Sequence, residues 1–141
     1  MNTDNLLFFH QLDICIKSYH KLQQKMLDKS GIDITPDQWL VLDLIIRSKG
    51  YTQREIAQKL GKDTAAVNRM LALLEKKGYI SRITAEGKTA KPVATESGTI
   101  VFNAATVIIY SASEAAMKGI KPKRTAKLEK TLRDITKNLK H

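Results

Sequence analysis

The sequence predicts a mainly α-helical protein with one small β-hairpin, and three observations predict it. Two capped helical stretches follow one another between Thr52 and Lys77, with glycine stops at Gly61 and Gly78. Directly after them Tyr79-Ile80-Ser81-Arg82-Ile83 alternates as a strand, and Thr89 to Ala94 returns as a second. Long helical stretches with narrow, heptad-like apolar seams flank this centre on both sides.

The central pair is the most informative. Thr52 and Glu55 form a capping box, in which each side chain satisfies a backbone N–H that the other leaves orphaned. Ile56, Ala57 and Leu60 make one apolar face, and Gly61 supplies the left-handed conformation that stops the helix. Asp63 caps the next helix, whose Val67, Met70, Leu71 and Leu74 point inward. Its outward residues are Thr64, Ala65, Ala66, Asn68 and Arg69. A helix entering the major groove needs that set: small residues for close approach, an amide and a guanidinium for base edges or phosphates. Its N-terminus also directs partial positive charge at anions. The competing reading of the same spacing is an ordinary helical hairpin with a polar outer face.

In chain order, residues 4–29 read as one long helix with Phe8, Leu12, Cys15, Tyr19, Leu22 and Met26 on its seam and Ile16 and Leu27 widening it. Lys17, Lys21, Lys25 and Lys29 line its polar side. Thr35-Pro36-Asp37-Gln38 opens a second helix with an N-cap, a proline at the first helical position and a capping-box Gln. Trp39, Leu42, Leu44, Ile45 and Ile46 are expected inside it, and Gly50 is expected to end it. Beyond the hairpin, Thr95 caps a helix running to Gly119. Pro122 opens the last helix, whose Thr125, Leu128, Leu132, Ile135 and Leu139 alternate three and four. Within the hairpin Ala85-Glu86-Gly87-Lys88 reads as the turn, and Pro92 suggests an exposed edge strand. A basic hairpin after such a helix pair makes the centre a winged helix-turn-helix, with Lys88 and Lys91 on the wing.

The terminal seams would stay wet if each helix packed only on a compact centre. The economical solution packs them on each other and on a second copy, a two-fold dimer; the alternative is that both cap the monomer's own core. The expected organisation is an N-terminal dimerisation helix (1–34), a DNA-binding lobe (35–95) and C-terminal dimerisation helices (96–141). Phe8, Leu12, Leu128, Leu132, Ile135 and Leu139 are the candidate dimerisation residues.

The formal net charge of +10 points to polyanions, nucleic acid before anionic membrane. Its distribution matters more. Residues 1–34 are neutral, 35–80 carry eight basic against five acidic residues, and the last 21 residues carry eight against two. The reading region is therefore moderately basic and the tail strongly so. One cysteine excludes an internal disulfide framework and suits the reducing cytoplasm. No apolar run is expected to span a membrane, and the first residues lack a signal-peptide pattern.

With these residues in view, the chain resembles the MarR family of winged helix-turn-helix transcriptional regulators along nearly its whole length. The resemblance is carried by Thr35-Pro36-Asp37-Gln38-Trp39 with Val41-Leu42, by Thr52-Gln53-Arg54-Glu55-Ile56-Ala57, and by Val67-Asn68-Arg69. Leu74-Glu75-Lys76-Lys77-Gly78-Tyr79-Ile80-Ser81-Arg82 and Thr95-Glu96-Ser97-Gly98 complete it. It implies a homodimer held by the first and last helices, with recognition helices in successive major grooves of a pseudo-palindromic double-stranded site. It also implies a repressor relieved by a small-molecule effector or an oxidant, read between the dimer region and the DNA-binding lobes. By position, Asp63, Thr64, Ala65, Ala66, Asn68 and Arg69 look like the groove-facing set, with Thr52, Gln53 and Arg54 on the backbone. Arg54, Arg69, Arg82, Lys88 and Lys91 supply the electrostatic docking. The wing departs from the family pattern: the usual Asp-Arg-Arg triplet reads Glu86-Gly87-Lys88, so lysines replace the minor-groove arginine. Lysine contacts phosphate well and lacks the planar fork.

Two further classes are weighed. A winged-helix protein-interaction module would turn the same helix toward a partner protein. Thiol-based peroxide sensing would run through Cys15, a candidate redox residue with Tyr19 one turn on; its seam position argues equally for a small buried hydrophobe. His10 and His20 lie about 80° apart on one helix without further ligands, so no metal or other cofactor is expected. No phosphate loop, His-Glu-x-x-His or nucleophile elbow occurs, and no catalytic residues are expected.

Overall fold

The computed structural model describes residues 1–48, 50–83 and 91–140. In order the elements are α1 (Phe8–Lys29), α2 (Pro36–Arg47), α3 (Gln53–Leu60), α4 (Thr64–Lys76), β1 (Ile80–Ile83), β2 (Lys91–Ala94), α5 (Glu96–Ala116) and α6 (Pro122–Leu139). The architecture is the expected winged helix-turn-helix between long terminal helices. The strands form one antiparallel ribbon with Ile80 opposite Ala94 and Ile83 opposite Lys91. The expected turn residues Glu86, Gly87 and Lys88 lie outside the described residues.

Local chemistry sets the central boundaries. Thr35 accepts from the Gln38 N–H at 3.1 Å, while the Gln38 side chain accepts from the Thr35 N–H at 3.0 Å. Thr52 and Glu55 repeat this reciprocal pair at 3.2 and 3.0 Å. Gly61 closes α3 at φ +64°, a left-handed position that a side chain would strain. Asp63 accepts from Ala66 N–H at 2.7 Å, and Thr95 caps α5 through Gly98 at 3.0 Å.

One core serves the lobe and the helices beside it. Leu27 of α1, Val41, Leu42 and Ile45 of α2, Ile56 and Ala57 of α3, and Val67, Leu71 and Leu74 of α4 are buried with Ile80, Phe102, Ala105 and Ile109. The junction between lobe and α5 is close. Thr95 Oγ1 donates to the Gly78 carbonyl at 2.6 Å, and a Cβ on Gly98 would overlap the Tyr79 carbonyl. Only glycine fits there.

Several expectations need correction. α1 begins at Phe8 rather than residue 4, because Leu7 at its N-cap offers no side-chain acceptor. α2 stops at Arg47, before Gly50, and α5 stops at Ala116, before Gly119. Ile46 is exposed, and Trp39 and Leu44 are half-buried, since they flank rather than centre the α2 stripe. Pro92 is buried. In a two-stranded ribbon both strands are edges, so its missing N–H breaks no ladder, while alternation turns its ring inward. Finally, α5 is long and apolar enough to cross a membrane by length and composition. Its buried Phe102, Ala105, Ile109 and Ala112 instead make it the helix on which α1 and α2 pack.

α6 is different in kind. It has no buried residue and no substantial packing against any other element among the described residues. Thr125, Leu132 and Ile135 are half-buried, and Leu128 and Leu139 are exposed. On α1, Phe8 and Leu12 are half-buried, and Leu7 and Phe9 beside them are exposed.

Candidate nucleic-acid interface

Helix α4 is held by one face and offers the other. Val67, Leu71 and Leu74, at helical spacing, are all but fully inaccessible. Those three fix its rotation, which turns Thr64, Ala65, Asn68 and Arg69 outward to solvent and leaves Ala66 half-buried. Two polar ties fix its ends: Lys62 meets Asp37 at 3.3 Å near the start, and Lys77 meets the Asp33 carbonyl and carboxylate at 3.0 and 3.2 Å near the finish. The outward face is uncovered.

The predicted residues divide by what their polar groups already do. The Thr52 hydroxyl and the Asp63 carboxylate serve as caps. Gln53 is half-buried and Arg54 exposed at the first turn of α3. Lys91 is exposed at the root of the wing, and its side chain passes Gly50, where a Cβ would sit 3.6 Å from the amine. It also lies close enough to Glu55 to act on its charge. The Thr52 backbone N–H bond, then the Thr52 side chain, hold the Glu55 carboxyl below its ordinary value, and Lys91 and Lys59 add to the effect against slight desolvation. Lys88 lies outside the described residues.

Arg82 is placed otherwise than as a free phosphate ligand. Its side chain is only 23% exposed, with Nε 3.8 Å from the Glu75 carboxylate. Nη1 donates to the Asn68 side-chain oxygen at 3.3 Å. The wing strand therefore reaches back to α4 and restrains the Asn68 amide. Sequence spacing gave no sign of this, because the contact joins residues 14 apart across two elements.

Cys15 is exposed on α1 in this chain rather than buried in the seam. Burial raises the neighbouring Tyr19 phenol above its ordinary pKa, opposed by a Gln23 hydrogen bond. Among the described residues no His, Cys, Asp and Glu side chains cluster to hold a metal.

Comparison with known proteins agrees with this geometry. Residues 32–88 match the family model described as the MarR family. No curated protein sequence matches the chain. Among solved structures, a MarR-family transcriptional regulator from Rhodococcus sp. RHA1 is 22% identical, with 96% of each chain covered and a TM-score of 0.80. A cysteine-to-serine mutant of MarR from E. coli, complexed with operator DNA, is 21% identical over 96% of this chain and 99% of its own, at TM-score 0.82. CouR from Rhodococcus jostii RHA1, bound to p-coumaroyl-CoA, is 22% identical over 94% and 92%, at 0.79. At such identities the likeness to these structures is one of fold. The family model thus places residues 32–88 with the MarR family, and almost the whole chain shares the fold of MarR-family structures.

Proposed function

We propose that this protein is a homodimeric, sequence-specific double-stranded-DNA-binding regulator, a repressor relieved by a small-molecule effector. The observation that carries the reading is the outward face of α4, where Ala65, Asn68 and Arg69 stand exposed on a helix whose rotation a buried Val67, Leu71 and Leu74 fix. Small residues let the helix approach the groove floor. Asn68 and Arg69 supply base and phosphate contacts, with Arg54 and Lys91 on the flanking backbone.

The dimer reading is supported by the unpacked seam of α6 and by the exposed Leu6, Leu7 and Phe9 ahead of and within α1. Exposed apolar side chains that cluster on a helix face mark an interaction surface. Two-fold pairing through these helices would set two copies of α4 one duplex turn apart, roughly 34 Å. A cavity of about 530 Å³ between α1, α2 and α5 supports the effector reading, since it lies where the terminal helices meet the lobe. Occupying it would change how the lobes sit on the dimer. The relation to CouR, whose structure contains p-coumaroyl-CoA, points the same way.

The test is selection of bound sequences from a random duplex pool, followed by titration against salt. A pseudo-palindromic winner is expected. With about eight phosphate contacts per dimer, log affinity should fall against log salt with a slope of about −7. Absence of any duplex binding at low salt would overturn the regulator reading and leave a protein-interaction module.

A further inference from the structure

The polar side of α1 carries charge that the fold does not use. Lys17, Lys21, Lys25 and Lys29 are all exposed, follow one another at four-residue intervals and span about 18 Å of helix. The row winds slowly, so that Lys21, Lys25 and Lys29 lie within about 80° of one another around the axis. Lys17 is engaged by Asp13 at 2.8 Å, whereas the other three form no salt bridge among the described residues. α1 is anchored from the opposite side, where Gln23 and Leu27 are buried. The lysines are not needed to hold the helix in place.

The row ends beside the reading helix. Its lysines share an open cleft with Thr35, Pro36 and Asp37 at the start of α2. Asp37 is paired with Lys62 at 3.3 Å, and Lys62 directly precedes Asp63, the cap of α4. At the far end of α4, Lys77 binds Asp33 at 3.0 and 3.2 Å. The segment 33–37 that leads out of α1 is thus pinned along α4, and the lysines continue from that helix's N-terminal end. Of the two acidic groups in the cleft, Asp37 is neutralised by Lys62 and Asp28 is held by Gln24 at 2.9 Å. Three unpaired ammonium groups then face one remaining carboxylate.

We propose that this face is a second contact with DNA, taken up by the duplex that flanks the recognised site. The proposal rests on the regulator reading above and extends it beyond the winged lobe. Continuity with the N-terminal end of α4 brings the row to the edge of the duplex that α4 would enter. Ammonium groups bind phosphates as point charges, which suits a backbone of any sequence. The length of the row matches the rise of about five base pairs. An acidic polypeptide fits less well, because among the described residues no large apolar side chain lines the cleft to anchor one. In a dimer the two rows would add such flank contacts at both half-sites.

The test uses the full-length protein and the selected duplex in two lengths: trimmed to its half-sites, and extended by about one helical turn of random sequence at each end. Fluorescence anisotropy follows both against salt. With two of the three lysines per subunit meeting phosphate, the extended duplex should bind about tenfold tighter near 150 mM salt, with a slope steeper by about three to four. Lys21→Ala, Lys25→Ala and Lys29→Ala together should erase that gain and leave the trimmed duplex unchanged. Removing the same charge from the exposed face of α6, with Lys123→Ala, Lys130→Ala and Lys137→Ala, should keep it. Equal binding of the two lengths, an α1 loss that is the same on both, or an equal loss of the gain from the α6 substitutions would overturn the proposal. A row that leaves both duplexes alone but carries binding of poly-glutamate would overturn it in favour of an acidic polypeptide. Binding of the trimmed duplex separates the two readings: retained with no flank effect, only the α1 contact falls.

Discussion

The winged lobe and the terminal helices obey different rules. In the lobe, α2, α3 and α4 each begin on a side-chain cap and each buries a fixed set of residues. α1 and α6 have no side-chain cap at either N-terminus, and α6 buries nothing. A lobe so determined by its own chain orients α4 without help. α1 is still anchored by Leu27 and by its packing on α5, whereas α6 is left to take its order from outside the chain, a need that the proposed second copy would meet. On the proposed function, that difference would separate reading from assembly within one protein.

That contrast can be broken most sharply at the core. Leu74→Ala should destabilise the lobe by about 2–5 kcal/mol, because Leu74 is fully buried and its neighbours cannot close the space. Leu139→Ala on α6, 64% exposed in the chain, should cost far less in a thermal melt of diluted protein. Equal losses would mean that α6 belongs to the same cooperative core.

The second expected effect concerns assembly. Leu132→Glu combined with Ile135→Glu should convert the proposed dimer to a monomer in sedimentation while the lobe keeps its helical signal. Affinity for a two-half-site duplex should fall about a hundredfold, as the second lobe loses its tethered concentration. Dimers surviving the double substitution would remove α6 from the interface.

How much of this was legible follows the same division. The bounds of α3 could be read to the residue, because Thr52, Glu55 and Gly61 act within one turn of the chain. The start of α1 could not, since the residues before Phe8 provide no cap and apolar periodicity alone does not say where a helix frays. Burial of Pro92 was hidden because proline chemistry speaks about the backbone, and the side chain follows the alternation of the strand. The contact of Arg82 with Asn68 and Glu75 depends on the wing folding back over α4. The cavity between α1, α2 and α5 gathers residues from 16 to 113, a proximity that no local pattern encodes, whereas the lysine row of α1 was legible from its four-residue spacing.

Arg69 and Arg82 sharpen the comparison within the lobe itself. Arg69 is exposed, so Arg69→Ala should weaken duplex binding by about 1–3 kcal/mol and, if it meets phosphate, shallow the salt slope by about one. Arg82 is half-buried against Glu75 and Asn68. Arg82→Ala should leave the salt slope nearly unchanged and relax base preference only where Asn68 reads. Measuring both slopes on the selected duplex decides it; a drop of about one for Arg82→Ala would make it a phosphate ligand instead.

The smallest expected effect lies in the capping box of α3. The Thr52 hydrogen bonds hold the Glu55 carboxyl below its ordinary value of 4.5 in the folded protein, while the unfolded chain titrates near that value. The unfolded state therefore binds more protons as pH falls. The stabilisation is complete above the unfolded value and is lost as pH drops through the folded one. Glu55→Gln keeps an acceptor for the Thr52 N–H but carries no charge. Its stability should change less with pH below 4.5 than that of the native chain, in denaturant titrations at matched salt. Because hydrogen bonding outweighs the Lys91 and Lys59 charges, added salt should leave most of that difference in place. A difference that vanished in salt would transfer the effect from the cap to the two lysines, and with it Lys91 from the duplex to the helix it adjoins.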